Sequence, residues 1–546
     1  MNKILNYSNL IALFTVFLLT SCAEDKGNYE YADKEIITID GIPEQISVLA
    51  NAENIIISPT ITSNLRGEIV SNNADFEFSC ERKEDDKWIE MCVSPETKDI
   101  NMLADIPAQI HTCRYSVIDK QTGVRYSKLF TIHATTVTTE GWIILCNESN
   151  NNNKVRVDML SHLAADRILP AYNVVKFSEE VPELFNAGSI SFHSSRRAWG
   201  NKIIMGSENG AYLIPCAGDH YGFGEIQEVT GAQELKMSLF LTTPDDNIVK
   251  TVSVPCQANN HDAVIAISKE GNAFVWDHTK AGTGFEYPVN TSVRGGEPEY
   301  KIAPFVGASL DRYWTLNPYG IALLYDMDGK RFIGWNGDGD SNGSKKQICY
   351  PLTDPVDNKL FSFNTGMDLV CMLNTLRTTH CIMQDGNKRH IYSINVMTKD
   401  FQQEACYQDI QAKHFADATL FAASSQYPVI YYAYKNNVYS YNYATGENKK
   451  TVELPTNEEV TMLKFNRYDE VWGTNYLINA SELEEFQRRE NELIVASYNS
   501  TATDNNGGTL RFYQTTSPGV DLTLKPNWEY TGFAQIVDVV YKEVRR

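Results

Sequence analysis

Three features of this sequence predict an all-β protein, an immunoglobulin-like β-sandwich followed by a seven-bladed β-propeller. Between residues 35 and 137, short runs that alternate apolar and polar residues are bounded by Gly, Asn, Asp or Pro. Beyond Thr138 a longer unit recurs, made of a short apolar strand, a polar turn and an aromatic-containing strand. After the last complete unit one further apolar strand remains, in "AQIVDVVYKE".

The chain opens on a positive residue, Lys3, and an apolar run over 11–19 interrupted only by Thr15. That run is too short to cross a bilayer as a stable helix and suits the core of a signal peptide. "LTSC" follows, with small residues ahead of Cys22 that let extended backbone enter a peptidase cleft, and with a thiol able to accept a diacylglyceryl group. The stretch resembles a bacterial lipobox. The resemblance implies a signal peptide over 1–21, cleavage before Cys22, lipid attachment at Cys22 and a tether over 22–34. Several acyl chains anchor more firmly than one, since each buried methylene adds about 0.8 kcal/mol. Glu24 and Asp25 stand where similar acidic starts direct lipoproteins to the outer face of the outer membrane.

The formal charge of −21 argues against a nucleic-acid partner, and its spread along the chain reads as a solvated surface. Ten cysteines remain besides Cys22, and none forms a C-x-x-C pair. Several lie in apolar runs such as "WIILCN" and "DLVCML", where a thiol behaves as a small hydrophobe. Cys80 and Cys113 are the leading candidates for a disulfide, although connectivity is not readable from spacing. The ten histidines are scattered, and none stands at ligand distance from a cysteine pair.

Over 35–137 the expected strands are "EIITIDG", "NIIISPTI", "DFEFSCERK", "KWIEMCV", "CRYSVIDKQTG" and "YSKLFTIHATTV", with "DKQTGVRY" as a hairpin that uses Gly123 for a positive φ. Six or seven strands in this length suggest an antiparallel sandwich. In the remainder, 138–546, the repeat is anchored at Ile143, Ile203, Val264, Ile321, Ile382, Val429 and Leu493, with spacings of 60, 61, 57, 61, 47 and 64. Two copies agree in detail, since "HIYSINVMTKD" and "NVYSYNYATGE" share Tyr392/Tyr439, Ser393/Ser440, Asn395/Asn442 and Thr398/Thr445 at one offset of 47. All-β repeats of this period indicate propeller blades, whose sheets cannot bury both faces alone. Seven anchors give seven blades, and 536–541 is expected to serve as the innermost strand of the first. "SELEEFQRRENE" has the Ser481–Glu484 spacing of a capping box and reads as a short helix inserted in the last blade.

Taken with the lipobox, "DKGNYEY", the strand-rich first domain and the Gly141–Trp142 junction in "GWIILCNES", the chain resembles the PKD-like family lipoproteins that occur beside starch-utilisation-type (Sus-like) nutrient uptake systems. The resemblance implies a PKD-like sandwich, a surface role, and partnership with a TonB-dependent transporter and its surface lipoprotein. It supplies no ligand.

Candidate chemistry is sparse. "DGDSNG" places Asp338, Asp340 and Asn342 at alternate positions with Gly343 to turn, the first half of a calcium loop, but Cys349 stands where the bidentate Glu belongs. A plain turn explains it, and no cofactor is expected. Arg recurs beside aromatics after the expected innermost strands: Arg196, Arg197 and Trp199; Arg312, Tyr313 and Trp314; Arg377; Arg467, Tyr468 and Trp472. Equivalent loops share one propeller face, where guanidinium forks and flat rings suit a sugar or a peptide carboxylate. Packing and loop hydrogen bonds are the plainer use, and this face is commonly opposite the ligand side. G-x-S-x-G, H-E-x-x-H and phosphate-loop motifs are missing. The expected role is therefore non-catalytic binding of a glycan or oligopeptide nutrient, or docking on the transporter. A glycoside hydrolase or polysaccharide lyase is the alternative, because two of the 69 acids would suffice for it.

Overall fold

The computed structural model describes residues 34–84, 87–93, 95–164, 167–175, 183–193, 202–208, 210–215, 235–236, 248–256, 261–277, 288–293, 296–310, 320–337, 348–468 and 480–543. Two compact units divide the chain. The first holds the segments up to Glu44, Ile56–Met102 and Thr112–Thr131, and the second holds Gln45–Ile55, Leu103–His111 and Ile132–Arg546.

The N-terminal strands form small antiparallel sheets. Ile37–Asp40, Thr60–Ser63 and Gly67–Glu68 make one. Arg125–Thr135, Ile110–Asp119, Ala74–Glu84 and Lys87–Val93 lie side by side in another, which Gln45–Leu49 extends. Asn54–Ile57 pairs with Ile100–Leu103. The period of two in the sequence becomes one buried face, with Ile37 and Ile39, Phe76 and Phe78, and Tyr115 and Val117 inward. Phe76 stacks on Tyr115 and Phe78 on Phe130, with ring centroids 6.4 and 6.2 Å apart. Cys80 and Cys113 are register partners on adjacent strands and are joined by a disulfide. The turn at Gly123 has φ +70°, its N–H bonded to the Asp119 carbonyl. "NIIISPTI", read as one strand, is two, because Pro59 has no N–H for the ladder and ends the first. Gln45–Leu49 and Ile100–Leu103 are additional strands that the turn signals did not mark.

Among the described residues beyond Thr138, seven antiparallel sheets are formed. Sheet I runs Arg167–Ala171, Lys154–Ala164, Gly141–Glu148, Gln535–Lys542; sheet II runs Ala187–His193, Lys202–Ser207, Gly210–Pro215, Leu235–Lys236. Sheet III holds Ile248–Cys256, His261–Ser268 and Ala273–Asp277; sheet IV holds Ile321–Asp326, Arg331–Asn336 and Cys349–Pro351. Sheet V comprises Asp368–Asn374, Thr378–Asp385, Lys388–Asn395 and Gln403–Tyr407; sheet VI comprises Leu420–Ala423, Val429–Tyr434, Asn437–Asn442 and Asn448–Glu453. Sheet VII holds Glu458–Lys464, Glu492–Asn499, Gly508–Thr516 and Asp521–Phe533. The terminal segment pairs antiparallel with the strand of the first anchor, Val540 opposite Ile143 and Tyr541 opposite Trp142.

Every anchor is buried, and the reason is that these sheets pack on both faces. Successive side chains point to opposite sides, so Ile143 joins a core with Ile190 and Ile203 of sheet II while Ile144 joins one with Ile494 and Phe512 of sheet VII. The same division places Cys381 and Met383 against sheet IV, and Ile382 against Ile430 and Tyr432 of sheet VI. Sheets III and IV share Ile265, Leu324 and Trp335, and sheets VI and VII share Tyr431 and Val495. Between sheets II and III the backbones abut, since a Cβ on Gly206 would stand 2.6 Å from the Ile248 carbonyl oxygen. The helix Ala480–Arg489 lies between the first two strands of sheet VII. It begins at Ala480, so Ser481 falls inside the first turn and does not precede it.

Truncation at an anchor removes contacts with a core that no loop can refill. Ile382→Ala is expected to cost about 2–5 kcal/mol in urea unfolding. Val356→Ala, at a position 98% exposed, is expected to change stability by less than about 0.5 kcal/mol.

Candidate functional site

In an up-and-down sheet, the link between the first and second strands leaves from one end, and the hairpin between the second and third leaves from the other. Arg377 sits in the first link of sheet V and is exposed, and its carbonyl accepts from the Val396 N–H at 2.9 Å. Arg467 sits in the equivalent link of sheet VII. The structure thus sets these two at corresponding ends of their own sheets. Arg196, Arg197, Trp199, Arg312, Tyr313, Trp314 and Trp472 lie outside the described residues, as do Asp338, Asp340, Asn342 and Cys22.

Arg467 is committed to the protein itself. Its Nη1 is 2.6 Å from Glu490 Oε2, and the other oxygen of that carboxylate accepts from the Tyr468 N–H at 3.1 Å. Tyr468, expected at a surface, is 1% exposed. Its ring packs edge-on against Phe486 and Tyr541 at 5.0 and 4.9 Å, and burial pushes its phenol well above the usual range. The inserted helix is the physical reason for this correction, because Phe486 on its inner face covers the loop.

The residues that sequence reasoning missed surround this pair. Arg489, the helix's last residue, has a guanidinium 5.6, 5.6 and 5.5 Å from the rings of Trp142, Phe486 and Trp528. It pairs with Glu485 and lies 3.4 Å from His162. His162 Nδ1 meets the Tyr541 hydroxyl at 2.7 Å, and that hydroxyl donates to Glu140 at 2.9 Å. Alongside, Lys525 Nζ sits 3.3 Å from the Trp528 ring centre and 3.0 Å from Glu492, which also holds Arg488 at 2.9 Å. Desolvation pushes the Lys525 ammonium down to about 8 against the pull of Glu492. Ring faces meet the buried cations, so the cluster fastens the helix across the seam of sheets VII and I. Only the run "QRRENE" hints at it in the sequence, and it reads there as a solvated helix.

A second charged group joins the first strands of several sheets. Lys464 Nζ donates to Asp538 Oδ1 at 2.7 Å and to the Val539 carbonyl at 2.7 Å, while the Ile190 N–H donates to Asp538 Oδ2 at 3.1 Å. Burial works to raise the Asp538 pKa, but the charges of Lys464 and Lys250 outweigh it and hold the carboxyl below its ordinary value. Desolvation lowers the Lys250 pKa, with attraction to Asp538 opposing and repulsion from Lys464 adding. The signal for this cluster was present in the sequence as a lone charge inside each of three apolar runs, "NIVKTV", "VTMLKF" and "QIVDVV".

The hairpin end is polar and open. Asn150 N–H donates to Asn505 Oδ1 at 2.8 Å, and Asn153 Nδ2 donates to Asn186 Oδ1 at 3.0 Å, all on exposed turns. On the corresponding end of sheet VI the His414 ring lies flat on Tyr434, 4.1 Å apart at 2°, both half-buried, and Lys435 Nζ is 5.4 Å from the Tyr434 ring centre. Exposed amides and a half-buried ring stack of this kind can bind polar ligands, chiefly by hydrogen bonds. Among the described residues no three His, Cys, Asp or Glu side chains gather as a metal site, and no helix is long and apolar enough to cross a membrane.

Residues 22–177 match the model of the PKD-like family, so the chain carries a PKD-like domain at its N-terminal end. No curated protein matches the sequence. Among solved structures it is similar to a quinonprotein alcohol dehydrogenase-like protein of Bacteroides thetaiotaomicron, at 11% identity over 93% of this chain and 100% of that one, with a TM-score of 0.36. A protein from Lactobacillus plantarum is 13% identical over 74% of this chain and all of its own, with a TM-score of 0.42. A chain of the mitotic checkpoint complex is 10% identical, covering 69% and 93%, with a TM-score of 0.33.

The seam cluster has a pH signature. The folded-state value of Lys525 lies below the ordinary 10.5, so between about pH 8 and 10.5 the unfolded chain binds the extra proton and this group makes stability rise with pH. Lys525→Met is expected to flatten that rise relative to wild type in urea midpoints taken at several pH values. Arg489→Ala, which leaves Glu485 only Arg488 at 4.0 Å and opens a gap between two Trp rings, is expected to cost about 2–4 kcal/mol, chiefly from lost packing.

Proposed function

We propose that this chain is a lipoprotein of the outer-membrane surface, anchored through Cys22, whose second unit is a seven-bladed propeller serving as a non-catalytic binding module. The observation that carries the propeller reading is the packing order. Each sheet shares a core or a close backbone contact with the next, sheet VII packs on sheet I, and the C-terminal strand completes sheet I. In this reading Gln535–Lys542 is the innermost strand of the first blade, and its pairing with Gly141–Glu148 joins the two ends of the ring.

Binding is assigned to the hairpin end, where amides are exposed and the His414–Tyr434 stack is half-buried, and not to the end where Arg467 is spent on Glu490. The ligand is a glycan or an oligopeptide, taken up by a neighbouring Sus-like complex of TonB-dependent transporter and surface lipoprotein. The PKD-like domain and the lipobox at Cys22 support that assignment.

The test uses the chain expressed in a Gram-negative host and the mature protein on arrays of glycans and peptides. Intact cells are expected to be labelled by antibody, Cys22→Ser is expected to leave the membrane fraction, and a transporter is expected in pull-downs. At least one glycan or peptide class should bind without turnover. Product release abolished by a single carboxylate substitution would instead establish an enzyme, and absence of both surface label and transporter would end the uptake reading.

A further inference from the structure

Strands packed on both faces are poor places for charge, yet Ile248–Cys256, Glu458–Lys464 and Gln535–Lys542 each carry it there. Asp538 is buried and held from two sides, by Lys464 at 2.7 Å and by the Ile190 N–H at 3.1 Å. Lys250 lies on Ile248–Cys256, whose Thr251 hydroxyl bonds the Ser191 hydroxyl at 2.5 Å and whose Val249 carbonyl abuts Gly188, so its strand runs beside Ile190; Asp538 attracts its charge and Lys464 repels it. Among the described residues the group therefore has two ammoniums and one carboxylate. A second lysine without a counter-charge is costly in a low-dielectric setting, and the surplus stands inside a chain whose overall charge is −21.

The Lys464 side chain is 30% exposed against 11% for Asp538, so solvent reaches that cation more readily than the anion, while Lys250 is half-buried with its ammonium desolvated. Ser189, one residue before Ile190, adds a fully buried hydroxyl with no hydrogen-bond partner. We propose that Lys250 and Lys464, flanking Asp538, form a binding site for one oxyanion, a carboxylate, sulfate or phosphate group. The anion supplies the missing counter-charge, with Lys250 as the principal contact because Lys464 already serves Asp538 and the Val539 carbonyl. This rests on the propeller reading, in which first strands line the ring's axis, and it deepens that reading by making the captured nutrient acidic.

Sodium sulfate is the first probe, titrated into the mature chain at ionic strength held constant with sodium chloride and followed by equilibrium dialysis with labelled sulfate. One sulfate per chain is expected. Lys250→Met should weaken it at least about tenfold, and Asp538→Asn, which removes the competing carboxylate, should strengthen it about tenfold. Near-UV circular dichroism of both variants checks that the fold is kept. Glucuronate and a sulfated disaccharide form the second arm: tighter binding than sulfate assigns the anion to a sugar ligand, and equal binding assigns it to the free ion. No stoichiometric sulfate, or binding unaltered in both variants, would overturn the site. Loss of the oxyanion site with a neutral ligand still bound on the arrays leaves the binding module standing, and sulfate bound with no glycan or peptide ligand does the reverse.

Discussion

The constraint on which the second unit depends is that none of its sheets can stand alone. Strands such as Ile321–Asp326 and Glu492–Asn499 are buried along almost their whole length, because alternate residues enter cores on opposite sides. A single sheet in water would expose one of those faces. Sheet I is the point where this matters most, since its fourth strand comes from the other end of the chain and the residues of its two faces belong to different cores. Local sequence makes the strands, but burial becomes favourable only when distant segments arrive.

Polar groups in such a structure have two kinds of employment. At the seam of sheets VII and I, His162, Tyr541 and Glu140 are hydrogen-bonded in a chain that Arg489, paired with Glu485, joins between aromatic faces, and the result is a fastening. Around Asp538 the charges of the described residues do not cancel, and Lys464 is partly open to solvent. The difference is one of stoichiometry and access, not of residue type. A guanidinium enclosed by three rings has no face left for a ligand, whereas an ammonium on a half-buried side chain has.

Much of the architecture was legible before any coordinates. The seven anchors are all core residues, the Gly123 turn and the inserted helix are present, and Cys80 meets Cys113. What failed were details that depend on neighbours. Tyr468 reads as a loop aromatic beside an arginine, and only the helix folding over it turns it inward. Arg489 reads as the charged end of a solvated helix, and only the arrival of Trp142 and Trp528 from other strands encloses it. Thr60–Ser63 was hidden because Pro59 breaks a run that looks continuous.

The sequence by itself determined the all-β character and the presence of a repeat, because period-two patterning, turn residues and spacing are properties of neighbours along the chain. Which residues became fasteners and which stayed open was decided only in three dimensions. A charged side chain takes its role from the groups that share its surroundings, and here those groups come from strands hundreds of residues apart, as His162 and Arg489 do.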